Sequence, residues 1–134
     1  MAKALILIAE DDTDTRALLS VLLEREGFQV MVARDGAAAL RILALLQPDL
    51  IIADLLMPQV NGLELIRSVR AMPECATIPI IVFSAYTDGY LQEMKEAGAT
   101  AILRKPHDFF HLSETITEVL AIHQNFRNTK ASGE

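Results

Sequence analysis

Five short apolar runs recur along the chain: ALILIA at 4–9, FQVMVA at 28–33, DLIIAD at 49–54, IPIIVFS at 78–84 and TAILRK at 100–105. Each has the length of a strand, and a longer stretch with apolar residues every three or four positions separates it from the next. In the first of these stretches Leu18, Leu19, Val21 and Leu22 lie opposite Arg16, Glu24 and Arg25. Leu40, Leu43 and Leu46 mark the second, Leu63, Ile66 and Val69 the third, Leu91 and Met94 the fourth, and Leu112, Ile116, Val119 and Leu120 the fifth. A strand apolar on both faces must be covered on both, which places these runs in a parallel sheet between layers of helix. Right-handed crossovers leave few ways to connect such units. The expected fold is an α/β, doubly wound five-stranded parallel sheet in the order 2-1-3-4-5, a (βα)₅ unit.

Punctuation agrees with this pattern. Asp12 or Thr13 can cap the first helix, Asp35 the second, Asn61 the third, Asp88 the fourth and Asp108 the fifth. Gly27 and Gly98 stand where helices should stop, and Pro48 and Pro79 precede strands.

At 134 residues, with 51% hydrophobic and 22% charged side chains, the chain has the size and balance of one globular domain. That domain is expected over 1–126, followed by a disordered tail over 127–134. No second domain is expected after the last helical pattern, so any output is expected to pass through a partner. Twelve basic against 18 acidic residues give a net charge of -6, and no stretch gathers lysine and arginine into a stripe, which argues against direct nucleic-acid binding. A lone cysteine, Cys75, excludes an internal disulfide and fits a reducing compartment. The opening MAKALILIAEDD meets acids within ten residues, too soon for a signal peptide. The longest uncharged run, CATIPIIVFSAYT, contains Pro79 and is shorter than the roughly 18 residues that span a bilayer. A soluble, cytoplasmic protein with no membrane partner is expected.

Open α/β sheets carry their sites at the carboxyl ends of their strands, where strand order reverses. The first strand ends in Glu10 and Asp11, the third in Asp54, the fourth in Ser84 and the fifth in Lys105. In the expected order strands one and three are neighbours, so three carboxylates converge on one crevice. Like charges a few ångströms apart raise one another's pKa, and such a cluster calls for a cation. Oxygen donors without histidine or cysteine suit a hard, partly hydrated ion such as Mg²⁺. A metal, a lysine, a hydroxyl and a spare carboxylate together suit phosphoryl transfer, with Asp54 as the nucleophile that becomes an aspartyl phosphate. Taken singly, each element has a plain reading. The acids at 10–12 could be a capping turn, Asp54 a turn residue, Ser84 a loop hydroxyl and Lys105–Pro106 a surface turn. Their coincidence on four strand ends of one sheet favours the joint reading.

These residues resemble the receiver domains of two-component response regulators, over nearly the whole chain from Lys3 to about Phe126. The resemblance rests on the acidic pair in LILIAEDD, the aspartate in DLIIADLLMPQVNG, the hydroxyl and small residue in IVFSA, the GA turn in EAGATAIL and the lysine-proline in RKP. It implies a flavodoxin-like fold in which Asp54 accepts a phosphoryl group. It also implies a Mg²⁺ ion bound by Asp11, by Asp54, by Glu10 through a water, and by the main-chain carbonyl of Leu56. Ser84 would hydrogen-bond the phosphoryl group, Lys105 would pair with it, and the peptide bond before Pro106 would be cis. Asp12, an acid beyond the family's pair, is assigned to capping.

The resemblance further implies a phosphoacceptor that does not turn over like an enzyme. Its donor would be a sensor histidine kinase or a phosphotransfer protein, and its target would dock on the fourth helix, fifth strand and fifth helix, including His107 and His111. A degenerate receiver acting as a phosphorylation-independent scaffold is the alternative. Two rivals fit less well. A flavin-binding domain of the same topology needs neutral donors after its first strand, where this chain has acids. A haloacid-dehalogenase-type phosphatase needs D-x-D-x-T/V there, and the frame starting at Asp12 fails at Arg16. The chain departs from many receivers at Ile102, where an aromatic residue often changes rotamer, so movement is expected instead in Ala85–Gly89, with Tyr86 or Tyr90 as the moving ring.

Overall fold

The computed structural model describes residues 3–132, and side chains through His123. Strands β1 (Leu5–Ala9), β2 (Gln29–Ala33), β3 (Leu50–Ala53), β4 (Ile80–Ser84) and β5 (Ala101–Arg104) alternate with helices α1 (Thr13–Arg25), α2 (Gly36–Leu43), α3 (Gly62–Ala71), α4 (Leu91–Ala97) and α5 (Leu112–Ser132). All pairings are parallel and the order is β2-β1-β3-β4-β5, as the alternation of apolar runs led us to expect.

The period of two along each strand divides the core into two layers. Ile6, Ile8, Leu50, Ile52, Ile81 and Phe83 face Leu19 and Leu23 of α1 and Leu112 and Ile116 of α5. On the other face Leu7, Ile51, Ile80 and Val82 meet Ala39 and Leu43 of α2, Ile66 and Val69 of α3 and Met94 of α4. Full burial of each such aliphatic side chain contributes roughly 1.5–3 kcal/mol, so this double layer carries most of the drive to fold. The buried stripe of α1 is narrower than its sequence suggests. Leu19 and Leu23, four residues apart, are fully buried, while Leu18 and Val21 are 55% and 50% exposed.

Three of the five expected caps form. The carboxylate of Asp12 accepts the Thr15 N–H at 2.9 Å and that of Asp35 accepts the Ala38 N–H at 2.8 Å. Asn61 and Glu64 form a reciprocal capping box, at 2.9 and 3.1 Å. The other two acids are engaged elsewhere. Asp88 pairs with the Arg104 guanidinium at 2.8 Å, and α4 starts after Tyr90 without a side-chain cap. Asp108 accepts the Arg104 N–H at 2.8 Å, and a 3₁₀ turn over Phe109–His111 precedes α5. Both carboxylates find a donor on β5 that sequence distance conceals. Helix α5 also continues to Ser132, past the boundary expected at 126, because neither proline nor glycine interrupts the chain between Pro106 and Gly133. The remaining tail residues, 133 and 134, lie outside the described residues. Among the described residues no helix is long and apolar enough to cross a membrane.

Arg70, near the end of α3, ties three segments together, with no carboxylate partner among the described residues. Its guanidinium donates to Gly98 O at 2.8 and 3.2 Å, to Ile78 O at 2.7 Å and to Ala76 O at 3.1 Å. Burial holds its pKa below the usual arginine value. Gly98, at φ +116°, adopts a conformation that favours glycine, and a Cβ there would lie 2.7 Å from Arg70 Nε. Arg70→Met keeps the aliphatic stem but leaves these carbonyls without their donor. It is expected to lower the unfolding free energy by about 2–3 kcal/mol in urea denaturation, since hydrogen bonds to charged groups are worth about 1.5–3 kcal/mol and unsatisfied carbonyls add a penalty. A loss below about 0.5 kcal/mol, the range of an ordinary surface substitution, would show that the clamp is not needed.

Candidate functional site

The row Ala33, Ala9 and Ala53, in register across β2, β1 and β3, brings the ends of these strands side by side. One residue on, Glu10 N–H donates to Ala33 O and Asp54 N–H to Ala9 O, both at 3.1 Å, so the two acids leave the sheet from adjacent tracks. Behind Asp54 the chain folds back onto α3. Gly62 N–H donates to Leu55 O at 2.8 Å, and a Cβ on Gly62 would come within 2.3 Å of the Asp54 carbonyl oxygen. Only glycine lets the helix start this close to the acid.

Glu10, Asp11 and Asp54 each offer a carboxylate oxygen, and these oxygens all lie within 4.8 Å of one another. Glu10 is buried, Asp54 partly buried and Asp11 exposed. Lys105 enters from the end of β5: Nζ lies 2.9 Å from Asp54 Oδ2 and also bonds Glu10 Oε1. Its ammonium sits 5.7 Å from the centroid of the Phe83 ring. The other Asp54 oxygen, Oδ1, is buried with no hydrogen-bond partner among the described residues.

Burial pushes Glu10 up to about 7; the hydrogen bond from Lys105 opposes this rise and the charge of Asp54 adds to it. Burial works against the Lys105 ammonium as well, yet hydrogen bonds to Glu10 and Asp54 outweigh it and its pKa ends above the usual lysine value. A buried carboxylate oxygen without a donor, amid oxygen-only ligands, is an arrangement that fits a metal ion.

Asp12 stays out of this cluster. Its carboxylate caps α1 and is held below the usual range by the Thr15 hydroxyl and N–H, while its own N–H donates to Glu10 Oε2 at 3.1 Å. Ser84 lies at the end of β4, fully buried, and its Oγ accepts the Tyr86 N–H at 3.2 Å. No hydrogen bond joins that hydroxyl to Asp54 or Lys105 among the described residues. Leu56 follows Asp54 in the same turn and is 48% exposed. The Lys105–Pro106 peptide bond is cis. Ile102 pairs with Val82 in the sheet and packs against the core, while His107 and His111 are exposed.

Two residues escaped the sequence reading. Arg16 donates from Nη1 to Glu10 O at 2.8 Å, holding the acidic turn from one helical turn away. Its spacing from Glu10 was the available signal, but as a helix-face charge it looked unremarkable. Thr87 is 1% exposed inside a loop whose neighbours are open, which anchors the middle of Ala85–Gly89. No sequence signal marks it.

The response regulator receiver domain profile matches residues 6–117 of this chain. The sporulation initiation phosphotransferase F of Bacillus subtilis (strain 168) is 31% identical over 121 residues, which cover 90% of this chain and 96% of that protein. Among solved structures, the chemotaxis protein CheY4 of Vibrio cholerae is 33% identical with a TM-score of 0.83, over 88% of this chain and 99% of that one. The receiver domain of the sensor histidine kinase PA1611 from Pseudomonas aeruginosa PAO1 is 26% identical with a TM-score of 0.82, over 90% of this chain and 99% of that one. That structure holds a magnesium ion coordinated in its active site cleft.

Proposed function

The chain belongs to the response regulator receiver family of two-component signalling, and from that premise we propose that Asp54 is its phosphoacceptor, served by Mg²⁺. The observation that carries the reading is the divided state of the Asp54 carboxylate, with Oδ2 held by Lys105 and Oδ1 buried without a partner. An Asp54 oxygen attacks phosphorus, the bond from phosphorus to the donor's leaving atom breaks, and the phosphoryl group stays on Asp54 as a mixed anhydride. Glu10, Asp11, Asp54 and the carbonyl of Leu56 would hold the ion, which supplies positive charge against the phosphoryl oxygens. Lys105, 2.9 Å from Asp54 Oδ2, steadies that carboxylate and would pair with the phosphoryl oxygens. Ser84 is a ligand for the phosphoryl group once its hydroxyl leaves the Tyr86 N–H.

The donor on this reading is a sensor histidine kinase or a phosphotransfer protein. The target is a protein that docks on α4, β5 and α5, without direct contact to nucleic acid, and the setting is the cytoplasm. The chain holds its phosphoryl group as a signal and does not turn over as an enzyme. Acetyl phosphate with Mg²⁺ is expected to give one phosphate adduct by intact mass, and excess chelator should suppress it by about a hundredfold or more, the scale of several kcal/mol of charge stabilisation. Equal labelling in chelator would overturn the role of the metal. Absence of any adduct under all conditions would favour the phosphorylation-independent scaffold.

A further inference from the structure

We propose that Arg104 is a positioning residue that couples the Lys105 turn to the Ala85–Gly89 loop, through an ion pair with Asp88 and a main-chain clasp with Asp108. The inference deepens the reading of Asp54 as phosphoacceptor and rests on it.

Three tethers meet at the end of β5. Arg104 lies in register beside Ser84, and the next residue, Lys105, donates its N–H to Ser84 O at 3.0 Å. On the other side Asp108 closes a reciprocal clasp: its carboxylate accepts the Arg104 N–H and its own N–H donates to Arg104 O, both at 2.8 Å. The clasp encloses Lys105, Pro106 and His107 and sets where the Lys105 side chain starts its reach toward Glu10 and Asp54. From the same residue the guanidinium crosses to Asp88 at 2.8 Å, in the loop four residues past Ser84.

Displacement of Ala85–Gly89 must therefore either break the Asp88 pair or pull on the residue next to Lys105. The converse holds when Lys105 is drawn to a phosphoryl group on Asp54. Both partners are solvent-exposed, 56% for the Arg104 side chain and 85% for Asp88, so the pair is suited to bias a two-state equilibrium and not to lock it. The bias favours the arrangement in which Ser84 Oγ accepts the Tyr86 N–H and the pair is formed.

Amide exchange of Ala85–Gly89 tests the coupling in the intact chain, with melting curves confirming that each variant folds. Without modification, Asp88→Asn and Arg104→Met are each expected to speed exchange of the loop about two- to fivefold, the range open to an exposed ion pair. Arg104→Lys should stay near wild type because it keeps the charge, and the double variant Asp88→Asn/Arg104→Met should match the singles. With Mg²⁺ and beryllium fluoride as phosphoryl mimic, all variants should converge, since a merely structural role would loosen both states alike. Unchanged exchange, additive effects of the two substitutions, or equal differences in both states would overturn the coupling while leaving the role of Asp54 intact. A wild-type loop that ignores beryllium fluoride would overturn the coupling, while the acceptor role of Asp54 is decided separately by the mass and position of the phosphate adduct.

Discussion

Asp54→Asn is expected to abolish the phosphate adduct, lowering labelling by acetyl phosphate more than about a thousandfold, the scale on which loss of a nucleophile is felt. The amide matches the carboxylate in shape and can still accept from Lys105, but it carries neither the charge nor the electron density to attack phosphorus. The rest of the site should persist, because Ile52 and Ala53 before it and Leu55 after it are buried independently of the acid. Intact mass gives the loss and peptide mapping of the wild-type adduct gives its position. Undiminished labelling of the variant, or an adduct mapped to another residue, would reassign the acceptor.

The second large effect is expected at Lys105. Its side chain is only 18% exposed, and those of Glu10 and Asp54 are 3% and 12% exposed. Lys105→Ala leaves two buried carboxylates facing each other without their ammonium. At alkaline pH and without metal, the fold should lose about 2–3 kcal/mol in urea denaturation. This is less than the 3–5 kcal/mol of a fully buried broken pair, because the Asp54 side chain keeps 12% of its surface exposed to water. Mg²⁺ should restore part of that loss by supplying charge to the same oxygens. Transfer should not recover with it: a fixed cation aimed at developing charge is worth about a hundredfold in rate, and that contribution is gone. Lys105→Arg should not rescue transfer, since a planar fork does not fit the narrow slot between Glu10, Asp54 and the Phe83 ring. Wild-type labelling by Lys105→Ala, or stability unmoved by its loss, would contradict the assignment.

Much of this protein is legible in its sequence. The five strands, their parallel order and the two helical layers follow from apolar runs of strand length alternating with helical spacing, a pattern that only a covered parallel sheet satisfies. The caps at Asp12, Asp35 and Asn61 are equally legible, because donor and acceptor there lie three residues apart. The convergence of Glu10, Asp11, Asp54 and Lys105 follows from the strand ends they occupy once the order of strands is known.

Other choices were made only in three dimensions. Asp88 and Asp108 are as good as caps on paper, yet both turn to Arg104. Arg70 stands four residues before Glu74, yet its guanidinium binds carbonyls, up to 28 residues away. Ser84 sits on the expected strand end, but its hydroxyl is engaged by Tyr86 N–H and Thr87 is drawn inside. Periodicity reports which face of an element avoids water, and that is a property of neighbours along the chain. The partner a polar group takes depends on which donor the folded chain brings within 3 Å, and those donors come from residues far apart in sequence.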